Sequence, residues 1–335
     1  NTALGNEALT LNTTGSENTA LGVSALTANS TGTQNVAVGK DALYSNTTSN
    51  QTAVGYKALY NSSAIGGEGN VAVGHKALFS STTATRNVAI GTSAGLSNTT
   101  GGGNIALGFK ALENTTEGSG NIAIGRSAGA SNTVASNNIF IGVETGSNFG
   151  RYSASNGNVV LGNYTVSSAN PQNYGSNTLI GSFIDVAGQN NVVLGYGARA
   201  YQVNPSNVSK NIDNAIAIGY QAHATASNTI QLGNSAITDV ITSGVVSTTG
   251  GVLTSGTVTA TSFVGDGSGL TNLPSSSLNA STTARLSEIF IQPHEVTTNT
   301  SVSYPPGYSI NLIPFPEGTG TVMGGVLIPL MMPSN

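Results

Sequence analysis

Residues 1–26 read NTALGNEALTLNTTGSENTALGVSAL, and the phrase Asn-Thr-Ala-Leu-Gly that opens them returns 17 residues later. Followed along the chain, phrases of this type occur fourteen times, closing on Gly5, Gly22, Gly39, Gly55, Gly74, Gly91, Gly108, Gly125, Gly142, Gly162, Gly181, Gly195, Gly219 and Gly233. The usual spacing is 17 residues, with departures from 14 to 24, and the repeats cover about 70% of the 335-residue chain. Self-similarity at a short fixed period marks stacked repeats rather than a globular core.

Within the phrase, position two is Thr, Val or Ile and position four is Leu, Val or Ile, a period-two alternation that predicts a short strand with both side chains on one face. We place that face in the interior. The expected core is therefore Leu4, Leu21, Val38, Val54, Val73, Ile90, Leu107, Ile124, Ile141, Leu161, Ile180, Leu194, Ile218 and Leu232. Position three, on the opposite face, is Ala in most copies; a surface position seldom holds so strictly to one small residue. Ala20, Ala37, Ala53, Ala72, Ala89, Ala106 and Ala123 are accordingly expected to form a second buried contact, against another chain.

After the closing Gly comes a second apolar segment of the form Gly-x-x-Ala-Leu (Ala25-Leu26, Ala42-Leu43, Ala111-Leu112), and then a polar return loop such as NTTGSE. Eleven copies begin with Asn, with Gln51, Ala215 and Thr229 as the exceptions. Stacked amides can hydrogen-bond along such an array, although Asn also suits turns for local reasons. The reading is an all-β parallel β-roll or β-solenoid of about fourteen rungs. At about 4.8 Å per rung it makes a rod on the order of 65 to 70 Å long.

Composition narrows the function. Only 7% of residues are charged, the net charge is -4 and the ten basic residues are scattered, which argues against nucleic acid as a partner. The chain has no Cys, so it holds no disulfide or thiolate metal site. No apolar run reaches the 18 residues of a membrane span, and no membrane insertion is expected. Asn1 opens inside a repeat with no initiator Met, which reads as a fragment or processed product.

The phrases NTALGNEAL, NVAVGKDAL, NVAVGHKAL and NIALGFKAL resemble the head repeats of YadA-like trimeric autotransporter adhesins, over residues 1–234. The resemblance implies a left-handed parallel β-roll and a trimer. The chain departs from it in its longer 17-residue spacing and at Phe140, Val160, Leu179 and Val193, where Ala gives way to large residues that would splay the chains or change their packing. Residues 235–273 form a connector whose stretch Ser262 to Asn272, SFVGDGSGLTN, is similar to segments of bacteriophage tail fibres. From Pro274 the repeat is gone, and residues 274–335 are expected to form a small β-rich tip or trimerisation unit.

Together these resemblances imply a homotrimeric tail fibre or receptor-binding protein of a virion, with a host-surface glycan or protein and other tail proteins as partners. A bacterial cell-surface adhesin is the alternative, and a tailspike depolymerase the second. No enzyme and no cofactor are expected. His75, His223 and His294 lie in unrelated contexts; Glu113 and Glu117 share one loop, and Asp239 and Asp266 flank the connector, without forming the facing pair that glycoside hydrolysis uses. Tyr44, Tyr60 and Phe79 each stand five residues after a repeat Gly in successive rungs, so they should stack into a column. That column is a candidate binding surface for a sugar or protein, the alternative being packing between return arms. Asn12, Asn46, Asn98, Asn114 and Asn207 head glycosylation triplets that read as polar loops in a phage or bacterial product.

Overall fold

The computed structural model describes residues 1–62, 68–146, 155–167, 175–203, 209–237 and 241. The connector motif and the C-terminal unit, with Asp239, Asp266 and His294, lie outside them. The described residues belong to one compact unit, Asn1–Gly244. They are all-β without a helix, and they form a parallel β-solenoid.

Fourteen three-residue strands, from Thr2–Leu4 to Ile230–Leu232, pair in chain order into one parallel sheet. Each residue lies opposite its counterpart in the next repeat, as in Ala89 against Ala106 and Ile90 against Leu107. A sequence that repeats itself in register pairs in register, because any slip would put the wrong side chain on each face.

The coil turns at backbone positions of unusual conformation. Gly108 holds φ at 135°, and a Cβ there would lie 2.5 Å from the carbonyl oxygen of Gly125. Only glycine lets one rung approach the next so closely. Two residues further on the chain again takes positive φ (Lys57, Lys76, Lys110), as it does at the Leu of the Ala-Leu pair: Leu59 at 49°, Leu78 at 48° and Leu112 at 51°. These leucines are fully buried, and burial offsets the cost of the left-handed conformation. Their amides continue the stack outside the strands, Leu26 donating to the Ala42 carbonyl and Leu43 to that of Ala58, both at 3.0 Å.

The interior is the reverse of the sequence expectation. Ala20, Ala37, Ala53, Ala72, Ala89, Ala106 and Ala123 point inward and are buried within a single chain, together with the Ala-Leu pairs. The side chains assigned to the core, Leu4, Leu21, Val38, Val54, Val73, Ile90, Leu107, Ile124, Ile141, Leu161, Ile180, Leu194, Ile218 and Leu232, are half-buried or exposed on the outer face. Leu4 is 69% exposed at one end and Leu107 41% in the middle of the sheet. The reason is volume. A coil closed in about 17 residues has room between strand and arm for one Ala facing an Ala-Leu pair, and for no second large aliphatic from the strand.

Where the strand Ala first becomes large, at Phe140, the arm becomes small. Phe140 is fully buried, and the arm positions beside it are Gly129 and Gly146 instead of Leu. Val160, Leu179 and Val193 are likewise buried inside, so the large residues repack this chain's own core. In these later repeats the arm straightens: Val166–Ser167, Asp185–Val186, Arg199–Ala200 and His223–Ala224 form a second parallel sheet. Gln202–Val203 and Ser209–Lys210 add an antiparallel hairpin.

The initial asparagines are the internal staple. The Asn104 backbone N–H donates to Asn87 Oδ1 at 2.8 Å, and Asn104 Nδ2 donates to the Gly118 carbonyl at 2.8 Å, tying the return loop back to the strand it leaves. Asn121 repeats the pattern one rung on, its N–H donating to Asn104 Oδ1 at 2.9 Å. Gln51 keeps the series going with a longer arm: the Asn70 N–H donates to Gln51 Oε1 at 3.2 Å. These amides are buried, so each unmade bond would leave a desolvated polar group.

Candidate functional site

With the core settled, the outer surface is what remains for function, and it carries three features. The first is the outer face of the long sheet. No side chain at position two or four of any of the fourteen strands is fully buried. The result is two parallel columns, aliphatic throughout at position four and interrupted by Thr2, Thr19, Thr52 and Thr178 at position two, with Val36, Ile90, Ile105, Leu107, Ile180 and Ile218 among their exposed members. Scattered apolar residues are normal on a surface, whereas a continuous patch of this kind marks an interaction face.

The second is the column of Tyr44, Tyr60 and Phe79. The rings stack as their spacing predicts, with centroids 5.1 Å apart and planes 5° apart for Tyr44–Tyr60, and 5.3 Å and 14° for Tyr60–Phe79. Both faces of Tyr60 are therefore taken by its neighbours, and what the column offers a partner is ring edges. Sequence reading overlooked the cations beside it. Lys57 Nζ lies 5.3 Å from the Tyr56 ring centroid and 5.1 Å from that of Tyr60, and Lys76 Nζ lies 5.8 Å from that of Phe79. The available signal was the phase: Lys57 and Lys76 each follow a repeat Gly by two residues, three before a ring of the column.

The third is a run of exposed aromatics in the later repeats. Tyr164 stacks on Phe183 at 5.4 Å, Phe183 meets Tyr196 tilted at 57°, and Tyr196 stacks on Tyr220 at 5.9 Å. Tyr196 and Tyr220 directly follow a repeat Gly, while Tyr164 and Phe183 follow one residue later, so a search at one fixed offset finds only half the run.

The remaining candidates are dispersed. His75 stacks on Tyr56 at 5.4 Å, and the Nε2 of His223 lies 2.9 Å from the Tyr201 carbonyl oxygen, on a different part of the stack. Glu113 pairs with Lys110 at 3.2 Å, and Glu117 is exposed on its loop. Among the described residues no group of three His, Cys, Asp or Glu is placed to hold a metal ion. Asn46 and Asn98 are buried, so no glycan could be carried there, whereas Asn114 is exposed.

No protein-family model matches the chain, and no curated protein matches it significantly.

Proposed function

We propose that this chain is one of three in a homotrimeric fibre, borne on a virion as a tail fibre or receptor-binding protein and attaching it to a host surface. The observation that carries the proposal is the outward face of the sheet, fourteen strands long, with an unbroken aliphatic column at position four and a second column that is aliphatic in ten of the fourteen strands. Three chains around a threefold axis can each cover part of this face for the others, since closed cyclic symmetry repeats one interface without leaving a free copy. Covering one half-exposed Val, Ile or Leu contributes about 1 kcal/mol, and the columns repeat that gain at every rung. Mechanically, three chains make a stiff rod, and identical binding surfaces held together raise avidity without new contacts.

The trimer is tested by light scattering on the full chain. A mass of three times 33.5 kDa is expected for the unaltered protein. Replacing Ile90 and Leu107 by Asp should bring it to one chain with the β circular dichroism retained, while Thr100→Arg, in an exposed loop, should leave it unchanged. An unaltered protein of single-chain mass overturns the proposal, as does a folded Asp variant that stays trimeric.

The choice of a virion rests on the resemblance of residues 262–272 to tail-fibre connectors, and the repeat resemblance supports the same architecture on a bacterial adhesin. Antibody labelling in electron micrographs separates them: label on the tail supports the fibre, and label on the cell surface supports the adhesin. Polysaccharide cleavage abolished by replacing a Glu or Asp would instead establish a tailspike enzyme.

A further inference from the structure

We propose that Lys57 and Lys76, set beside the stacked rings of Tyr60 and Phe79, with Lys40 on the rung before them, form a binding strip for a linear anionic polysaccharide. The inference takes its setting from the host-attachment reading above, and it applies equally to a single chain or a trimer. The three lysines come from three successive rungs. Backbone bonds fix the register: the Lys57 N–H donates to the Lys40 carbonyl at 3.1 Å and the Lys76 N–H to that of Tyr56 at 2.9 Å, so Lys57 and Lys76 share a position that Asp41 holds on the first of these rungs, while Lys40 aligns with Tyr56 and His75. In a chain with ten basic residues and a net charge of -4, this is a local reversal of sign.

Asp41 and Glu68 share these rungs, leaving three ammonium groups against two carboxylates, with His75 alongside. The ion pairs found among the described residues, Lys110–Glu113 and Arg126–Glu144, use neither Lys57 nor Lys76. The Tyr56 ring holds the Lys57 ammonium, and the Phe79 ring that of Lys76, on the strip by cation–π attraction, leaving donors for an incoming anion.

Spacing and ring geometry select the partner. Lys57 and Lys76 stand one rung, about 4.8 Å, apart along the stack, a spacing suited to a polymer with one charge on each sugar. Duplex nucleic acid packs a charge every 1.7 Å or so and is recognised by dense Lys and Arg patches. Single strands are gripped by stacking bases on free aromatic faces. Here both faces of Tyr60 and one face each of Tyr44 and Phe79 are taken by one another, so the column offers no continuous platform for stacked bases or for flat stacking of a neutral sugar.

The test measures binding of the full chain to polygalacturonate, with dextran as the neutral polymer and single-stranded DNA as the other polyanion. Polygalacturonate should bind and dextran should not, and the affinity should fall as salt rises through the range where the Debye length shortens to about 8 Å. Lys57→Gln with Lys76→Gln should weaken binding about tenfold or more. Lys110→Gln, whose charge is already paired, should change it little. Absence of polygalacturonate binding, equal binding of dextran, tighter binding of DNA, or indifference to the double replacement each overturns the inference. Light scattering on the same samples reports assembly separately, so failure of the strip and failure of the trimer are distinguishable.

Discussion

Phe140 and Gly129 share one space: a Cβ built on Gly129 would lie 2.7 Å from Phe140 Cδ2 and 2.9 Å from Leu112 Cδ2. The ring fills the volume that an arm Leu occupies in earlier rungs, such as Leu59 or Leu78. Phe140→Ala should cost about 3 to 5 kcal/mol by opening a cavity. Gly129→Leu alone should also destabilise, through overpacking. Combined, they recreate the Ala-and-Leu arrangement of other rungs, and urea unfolding should show the double variant recovering much of the loss. Simple additivity would mean that the two positions do not share the space.

Asn104 accepts from the Asn121 backbone N–H and side-chain amide at 2.9 and 3.1 Å, and donates to the Gly118 carbonyl. Asn104→Ala strands these groups in a buried setting and should cost about 2 to 4 kcal/mol. Hydrogen exchange should localise the damage, with the Asn121 amide losing more protection than amides several rungs away. Uniform loss along the stack would contradict a staple acting between neighbours.

Gly108→Ala combines a backbone region that is costly for a side chain with a Cβ too close to the next rung. The expected penalty is about 2 kcal/mol or more, read as a lowered urea midpoint. A midpoint unchanged from that of the unaltered protein would show that the rungs can part there without penalty.

Gly95 stands where neighbouring rungs have Leu78 and Leu112, and a cavity of about 10 Å³ lies among these residues, Ala89 and Ala106. The Oδ1 of Asn98 beside it is buried without a hydrogen-bond partner. With φ at 58°, Gly95 already holds the conformation in which the other rungs place Leu. Gly95→Leu should therefore leave the melting temperature close to that of the unaltered protein, the burial of about 1 to 2 kcal/mol being set against a left-handed φ that costs a side chain a similar amount. A lower melting temperature would show that Leu78, whose Cδ2 would lie 2.9 Å from a Cβ at position 95, cannot swing aside.

Much of the fold was legible before any coordinates. The fourteen glycines marked the turns, the alternation marked the strands, and the constant offset of Tyr44, Tyr60 and Phe79 marked a stack, because each depends only on spacing along the chain. Gln51 shows how far the pattern tolerates exceptions: its longer side chain still reaches the next rung's amide. Lys57 and Lys76 were legible only as a shared phase after the repeat Gly, since their ring contacts depend on side chains folding back across the turn. The later run from Tyr164 to Tyr220 was half hidden by rungs of unequal length.

Sequence alone determined that the chain coils into a parallel β-stack, and which residues share a face of the sheet. It left open which face is inside, because both are apolar: Ala on one, Val, Ile and Leu on the other. Hydrophobicity favours the larger side chains for the interior, and tertiary structure reversed that choice. The space enclosed by so short a rung admits Ala20, Ala89 or Ala106 against an arm Leu, and turns Leu21, Ile90 and Leu107 outward. Enclosed volume, a property of the closed coil and of no single strand, made the decision.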